Sequence, residues 1–325
     1  MTVPTQFSRS ADPQMSIILV TDAYQTIKEV IAHLREQSVR DRLEIVIVTP
    51  TGQPLVPEPG ALEGFAQVRL VEVGSILPLG EPRAAGVRMA TAPIVVIGET
   101  HSYPRPGWAE ALIQAHTEPW AVVVPAFGNA NPETPLSWAA FLRDYGRWVD
   151  GLPAREIDFV PPYNTATKRN VLLEFGGRLD RMVSQGDELG AALQAQGHRI
   201  YFQPAAKIDH ANVCRPMAWL VQRFLTGRVL AAGRAQRWSP PRRMLYACGA
   251  PLIPVVVLLR LLTSVRITKQ NRRLPLGTLP AMVIGAIASA AGEMVTYAAG
   301  AGRAVKLHSD EYELHKLRYT YLAAP

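Results

Sequence analysis

Residues 94–108 read Ile-Val-Val-Ile-Gly-Glu-Thr-His-Ser-Tyr-Pro-Arg-Pro-Gly-Trp, a run that few folds accommodate. Ile94–Ile97 is short, wholly apolar and β-branched, the composition of a strand buried on both faces of a parallel sheet. Gly98 breaks it. Glu99 and His101 follow at the two-residue spacing that puts both side chains on one face of extended backbone. Pro104, Pro106 and Gly107 then force a turn, and Trp108, Leu112 and Ala115 begin a helical pattern. A buried strand that ends in potential metal ligands and turns into a helix is where open α/β sheets hold ligands.

The chain before this stretch alternates strand and helix. Residues 1–14 are polar, carry Pro4 and Pro13, lack the apolar core of a signal peptide and are expected to be a disordered tail. Residues 15–20 are expected to form a strand, 26–37 an amphipathic helix with Ile27, Val30, Ile31 and Leu34 on one face, and 43–48 a second strand. Strand, helix, strand within so few residues is a βαβ unit, which implies a parallel sheet with a right-handed crossover. A third strand is expected over 68–73, a helix over 83–90, and a further strand over 121–125. Residues 138–148 suggest a helix whose apolar face is Trp138, Phe141, Leu142 and Tyr145.

With its flanks, the central stretch resembles family 2 glycosyltransferases of the GT-A fold. In that family an Ala…Ala…Ile-Val-x-Phe-x-Asp-x-Asp…Pro-x-Trp segment holds the nucleotide-sugar diphosphate through a divalent metal. Here the run is Arg83-Ala-Ala-Gly86, Ala90, Ile94–Ile97, Glu99-Thr-His101 and Pro106-Gly-Trp108, with Asp-x-Asp replaced by Glu-x-His. Later segments resemble the acceptor half of the same family: Asn164-Thr-Ala-Thr-Lys-Arg169, Phe175-Gly-Gly-Arg-Leu-Asp180, Gly186-Asp-Glu-Leu189, and residues 193–204 with His210 beyond. The resemblance spans residues 15–212 or so. It implies an α/β GT-A domain over 15–214, with a Rossmann-like, mostly parallel central sheet flanked by helices. It also implies a nucleotide-sugar donor, a divalent Mn²⁺ or Mg²⁺ cofactor, inverting transfer, and a lipid-linked or saccharide acceptor.

Site residues follow from the same resemblance. Glu99 and His101 stand at the metal–diphosphate motif, and His210 stands where a late histidine completes such a site; the ordinary alternatives are strand-end polar residues and a structural histidine. Mn²⁺ and Mg²⁺ accept carboxylate and imidazole, with imidazole better suited to Mn²⁺. Thr21, Asp22 and Tyr24, in the loop after the first strand, and Arg83 are the donor-binding candidates. Thr49-Pro50 stands where the family keeps a nucleotide-binding Asp. Inverting transfer needs a carboxylate to take the acceptor's proton. The expected acidic pair falls on Gln185 and Gly186, so Asp187 comes one position late. Asp187 and Glu188 are either base candidates or residues that favour a helix start; Asp180 is a weaker candidate. Lys168, Arg169 and Arg178 read as surface charge, and Trp108 as packing.

Beyond residue 214 the character changes. Residues 219–236 have helical spacing with a basic and amide face, and 245–259 and 274–292 contain no charged residue. Arg242 and Arg243 precede the first apolar stretch, Lys269, Arg272 and Arg273 lie between the two, and Arg303 and Lys306 follow. A spanning hairpin is the alternative, but it would place the middle positive cluster on the far side, against the positive-inside rule. Positive clusters on every flank fit interfacial or re-entrant helices over 215–305 on the anionic cytoplasmic face of a membrane, followed by a charged tail over 306–325. The net charge of +7 also fits nucleic acid. However, no nucleic-acid motif interleaves aromatics with the basic runs, and nucleic acid is set aside. Two cysteines, Cys214 and Cys248, make no metal-like or disulfide spacing, which implies a reducing compartment. Self-association is left open. A second reading, from another class, is a GT-A-like binding or scaffold protein at the membrane that has lost transfer activity; the displaced motifs support it.

Overall fold

The structure is a computed structural model that describes residues 5–9, 12–161, 163–184, 186–236, 238–259 and 274–322, without the side chains of 5–9, 186 and 187. The basic cluster Lys269, Arg272 and Arg273 therefore lies outside the described residues, as does Gln185. By packing, the chain divides into two compact units, Met1–Gly128 with Leu152–Asp209, and Asn129–Gly151 with His210–Pro325. Residues 129–151 thus pack with the C-terminal helices, although in sequence they sit inside the 15–214 stretch.

The first unit is built on a ten-stranded mixed sheet. In chain order its strands are β1 (Thr5–Arg9), β2 (Met15–Val20), β3 (Leu43–Pro50), β4 (Gln67–Val73), β5 (Ile94–Ile97), β6 (Ser102–Pro104), β7 (Val122–Asn129), β8 (Arg155–Glu156), β9 (Ala166–Lys168) and β10 (Ile200–His210). Their spatial order is β1-β4-β3-β2-β5-β9-β7-β10-β6, with β8 beside β10. The stretch β4-β3-β2-β5 is parallel throughout. β9 pairs antiparallel with both β5 and β7. Every residue of β2, β3 and β5 is buried, as a parallel sheet covered on both faces requires.

Two expectations are corrected here. Residues 5–9, expected within a disordered tail, form β1 and pair antiparallel with β4, in register Thr5↔Leu70. β4 would otherwise leave a row of unpaired backbone groups at the edge, and β1 satisfies them. Thr49, expected in the loop after the second strand, remains inside β3 opposite Glu72 and is buried.

Helices cover the parallel strands. Helix α1 (Tyr24–Arg35) buries Ile27, Val30, Ile31 and Leu34, the face its spacing anticipates. Helix α2 (Gly80–Met89) lies so close to the sheet at Gly86 that a Cβ there would stand 2.5 Å from Ile18 Cγ2. That close approach accounts for glycine in Arg-Ala-Ala-Gly. Glu44 is a fully buried carboxylate between these layers. It accepts from Ser16 Oγ, Arg69 Nε, and the Thr91 backbone and hydroxyl, so its charge is compensated. Helix α3 (Trp108–Ala115) follows Gly107, whose φ of 82° only glycine adopts without cost. Short helices α5 (Arg169–Leu173) and α6 (Leu179–Met182) lead to α7 (Gly186–Ala195).

The second unit is helical: α4 (Pro135–Tyr145), α8 (Pro216–Ala235), α9 (Pro240–Gly249), α10 (Thr278–Ala299) and α11 (Ala304–Leu307), then a π-helical turn His308–Leu314 and a 3₁₀ turn Lys316–Tyr319. α8 and α10 touch backbone to backbone. A Cβ on Gly227 would meet Ser289 O at 1.9 Å, and one on Gly292 would meet Phe224 O at 2.0 Å. Arg223 of α8 forms a two-pronged pair with Asp144 of α4 at 2.9 and 2.8 Å. Arg228 donates to the Gly300 and Ala301 carbonyls at the end of α10, where backbone oxygens lack helical partners. Among the described residues, two helices are long and apolar enough to cross a membrane, Pro240–Leu259 and Thr278–Ala299. The first is largely exposed, with Leu245, Leu252, Val255 and Leu259 outward; half of the second is buried.

Candidate functional site

The carboxyl end of β5 carries the decisive geometry. Asn164 takes a left-handed backbone with φ of 59° and donates its N–H to the Ile97 carbonyl at 2.8 Å. Asparagine tolerates that conformation better than other residues with a Cβ. Its side chain is thereby brought onto Glu99, with Nδ2 donating to Oε2 at 2.6 Å; Ser102 Oγ donates to the same oxygen at 2.7 Å. With Oε2 engaged, Oε1 faces His101 Nε2 at 3.5 Å. Thr100 Oγ1 lies 3.2 Å from the other ring nitrogen, His101 Nδ1. Both Glu99 and His101 are buried.

His210 is the last residue of β10. Its Nδ1 lies 2.9 Å from Asn212 Oδ1. Asn212 Nδ2 donates to Asn129 Oδ1 and to the His210 carbonyl, so the amide orientation is fixed and its oxygen faces the ring. An amide oxygen only accepts, so the proton sits on Nδ1 and Nε2 carries the lone pair. Asn131 and Ser137 complete this buried polar cluster: Asn131 Oδ1 accepts from the Asn212 backbone and from Ser137 Oγ. Lys316, also buried, places Nζ 3.2 Å from His210 Nε2. Potential ligand atoms of Glu99, His101 and His210 all lie within 4.8 Å of one another, and all three residues are buried.

The remaining sequence candidates are distributed differently. Thr21 is fully buried, and its hydroxyl closes the loop after β2 by donating to the Ala23 carbonyl at 2.7 Å and accepting from the Ala23 N–H. Asp22 is half-buried in that loop. Tyr24 opens α1; burial, and then the Glu58 charge, raise its phenol above the usual range, so it stays a neutral donor. Arg83 lies buried on α2 with its guanidinium carbon 4.1 Å from the centre of the Tyr163 ring. Asp187 is in the first turn of α7, and its side chain lies outside the described residues. Glu188 is paired with Arg181 through two bonds of 2.6 and 2.7 Å, which leaves its oxygens committed to a guanidinium. Asp180 sits on α6, and Trp108 is buried against the core.

Asn164, Ser102, Asn212 and Lys316 were not singled out from the sequence as contacts of the ligand residues. The one local signal was Asn164, a left-handed-tolerant residue just after Pro161, Pro162 and Tyr163. Nothing in the spacing ties residue 212 or 316 to a histidine at 210.

No protein-family model matches the chain, and no curated protein matches it. Among solved structures, the chain is similar to the mannosyltransferase PcManGT from Pyrobaculum calidifontis, solved in complex with GDP-Man and Mn²⁺. Identity is 17%, coverage is 88% of each chain, and the TM-score is 0.52. The fold is GT-A. A second similarity, to GalNAc-T7 with UDP, GalNAc and Mn²⁺, is 13% identical with a TM-score of 0.46; it covers 61% of this chain and spans 43% of that one.

Proposed function

We propose that the protein is a membrane-associated, metal-dependent glycosyltransferase that moves a sugar from a nucleotide-sugar donor to a lipid-linked or saccharide acceptor of the cell envelope. The observation that carries this reading is the convergence of Glu99, His101 and His210 at the end of the central strand of a GT-A fold. One carboxylate and two imidazoles form a donor set that suits Mn²⁺. Glu99, His101 and His210 would hold a divalent ion, which would supply positive charge to answer the charge that develops on the departing diphosphate.

The chain's own residues would do the rest. Ser102 and Asn164 hold Glu99 so that one oxygen faces inward, and Asn212 fixes the tautomer of His210; such supporting contacts set how well a ligand set works. In an inverting transfer the acceptor oxygen bonds to the anomeric carbon as the bond to the β-phosphate oxygen breaks, and that oxygen keeps the electron pair. The acceptor proton passes to a carboxylate. Asp187 is the candidate for that role, because Glu188 is engaged by Arg181. Thr21, Asp22, Tyr24 and Arg83 are the candidates for holding the donor. The mannosyltransferase sharing the fold was solved with GDP-Man, which puts GDP-sugars beside UDP-sugars among donors to test. Outward-facing Leu245, Leu252, Val255 and Leu259, with Arg242 and Arg243 beside them, support docking on the anionic cytoplasmic leaflet.

The test is calorimetric titration of the detergent-solubilised full chain with UDP- and GDP-sugars, with and without Mn²⁺, on wild type and His101→Ala. Manganese-dependent binding that disappears in His101→Ala is expected. Absence of donor binding under every condition would reject the metal–diphosphate assignment and leave the scaffold reading, which the engaged Glu188 favours.

A further inference from the structure

The first residue of α3 carries a polar group into the interior of the first unit, and no protein atom answers it. Trp108 is 1% exposed, and its indole Nε1–H has no hydrogen-bond partner among the described residues. A buried N–H without an acceptor costs as much as a lost hydrogen bond, so native proteins supply one, from protein or from ordered water. Trp108 also lines a small cavity whose other polar walls are Glu99, Ser102 and Asn164; aliphatic side chains of β2, α1, β5 and β10 close the opposite side. All of these residues belong to the unit that contains the sheet. The cavity measures about 10 Å³, the room of a single water molecule. Its polar side has an acceptor to spare. Ser102 Oγ gives its proton to Glu99 Oε2 and accepts from Asn164 Nδ2 at 3.0 Å, which leaves one of its two lone pairs. These walls narrow the occupant. The size excludes a sugar or a nucleotide. The N–H in the wall disfavours a cation, and the Glu99 carboxylate disfavours an anion. What fits is a neutral molecule that accepts from the indole and donates to an oxygen, and water does both.

We propose that this cavity holds one internal water, which accepts from Trp108 Nε1 and donates to Ser102 Oγ. The water ties the start of α3 to Ser102, and Ser102 in turn holds Glu99 beyond the end of β5. Trp108 is thus a positioning residue that acts on Glu99 through a water and a hydroxyl, in addition to the packing role its place in the sequence implies. The inference uses the first unit alone and stands independently of the metal reading above.

The experiment has two arms. The first is a crystal structure of the full-length wild type at a resolution that shows ordered water. Density within hydrogen-bond reach of both Trp108 Nε1 and Ser102 Oγ, about 2.7–3.2 Å from each, is expected. A dry cavity, or Nε1 bonded directly to a protein oxygen, would overturn the proposal. This arm needs no variant, so it decides the question even where a substitution prevents folding. The second is a double-mutant cycle in urea unfolding with Trp108→Phe and Ser102→Ala. The two side chains share no direct hydrogen bond, so a bridging water should couple them by about fivefold in the unfolding constant, the factor that one ordinary hydrogen bond supplies. Trp108→Phe paired with Val96→Ala, an apolar wall of the same cavity, measures coupling through packing alone. Coupling to Ser102 above that control supports the water bridge. Additive losses, or coupling equal to the control, would show that Trp108 only packs.

Discussion

Asn164 offers a substitution pair in which backbone strain and ligand support separate. Its side chain holds Glu99 Oε2 at 2.6 Å, and its φ is 59°. Asn164→Gly deletes the amide but adopts the left-handed backbone freely; Asn164→Ala deletes the amide and pays for that backbone, about 1–2 kcal/mol. Loss of a supporting hydrogen bond to a metal ligand typically lowers metal affinity about 10- to 100-fold. Both variants should therefore lose Mn²⁺ affinity to the same degree. Only the alanine variant should lose the extra stability. Mn²⁺ titration by calorimetry and urea unfolding of both proteins in one detergent would read the two effects separately. A glycine variant that binds Mn²⁺ like wild type would refute the positioning of Glu99. Equal unfolding midpoints for glycine and alanine would refute the strain argument.

Two further predictions concern stability. Gly227→Ala drives a methyl group into the Ser289 carbonyl, a backbone atom that cannot step aside, and should cost about 3 kcal/mol or more by forcing α8 from α10. Gly177→Ala, with open space at its Cβ and no left-handed φ, should be neutral or slightly stabilising; equal losses in thermal unfolding would contradict the packing account. Burial is the main cause that lowers the His116 imidazole to about 4. A folded value below the unfolded 6.5 means that the unfolded chain binds more protons between them. This contribution to stability is full above pH 6.5 and is lost as pH falls towards 4, amounting to roughly 2–3 kcal/mol by pH 4.5. Urea midpoints at pH 7 and 4.5 should fall further for wild type than for His116→Gln; parallel losses would remove His116 as the cause.

What was legible in the sequence was what local physics decides. β2, β3 and β5 stood out because strands buried on both faces must be continuously apolar, and α1 because its buried face recurs at helical spacing. Element ends were less legible where tertiary partners override local signals. The charge-free stretch 274–292 is part of a helix that runs on to Ala299, and Glu293 inside it is paired with Arg234 and Tyr297. β1 has too little pattern of its own and exists because β4 pairs with it, whereas the short β9 falls in Asn164–Arg169, where the resemblance implied a short strand leading into a basic helix start. Among site residues, Glu99 and His101 were readable from adjacent positions on one segment. The contacts of Asn212 and Lys316 with His210 were not, since they depend on chain reversals that no spacing encodes.

The Glu-x-His and Thr49 departures from the family pattern invite the view that this is a decayed enzyme, and the details of the cluster argue otherwise. Thr49 is buried inside β3, so an Asp there would be an enclosed carboxylate rather than a loop residue reaching a nucleotide. Under the proposed reading, the nucleotide would be met by other residues, such as those of the loop after β2. At the cluster, each ligand candidate has its far atom engaged: Oε2 of Glu99 by Ser102 and Asn164, Nδ1 of His101 beside Thr100, and Nδ1 of His210 by Asn212. This arrangement turns a carboxylate oxygen and imidazole nitrogens inward, towards one another, in a buried space. Lys316 Nζ lies 3.2 Å from His210 Nε2. A carboxylate and two imidazoles held this way are a donor set that suits a divalent ion, and the proposed transfer reading rests on that set.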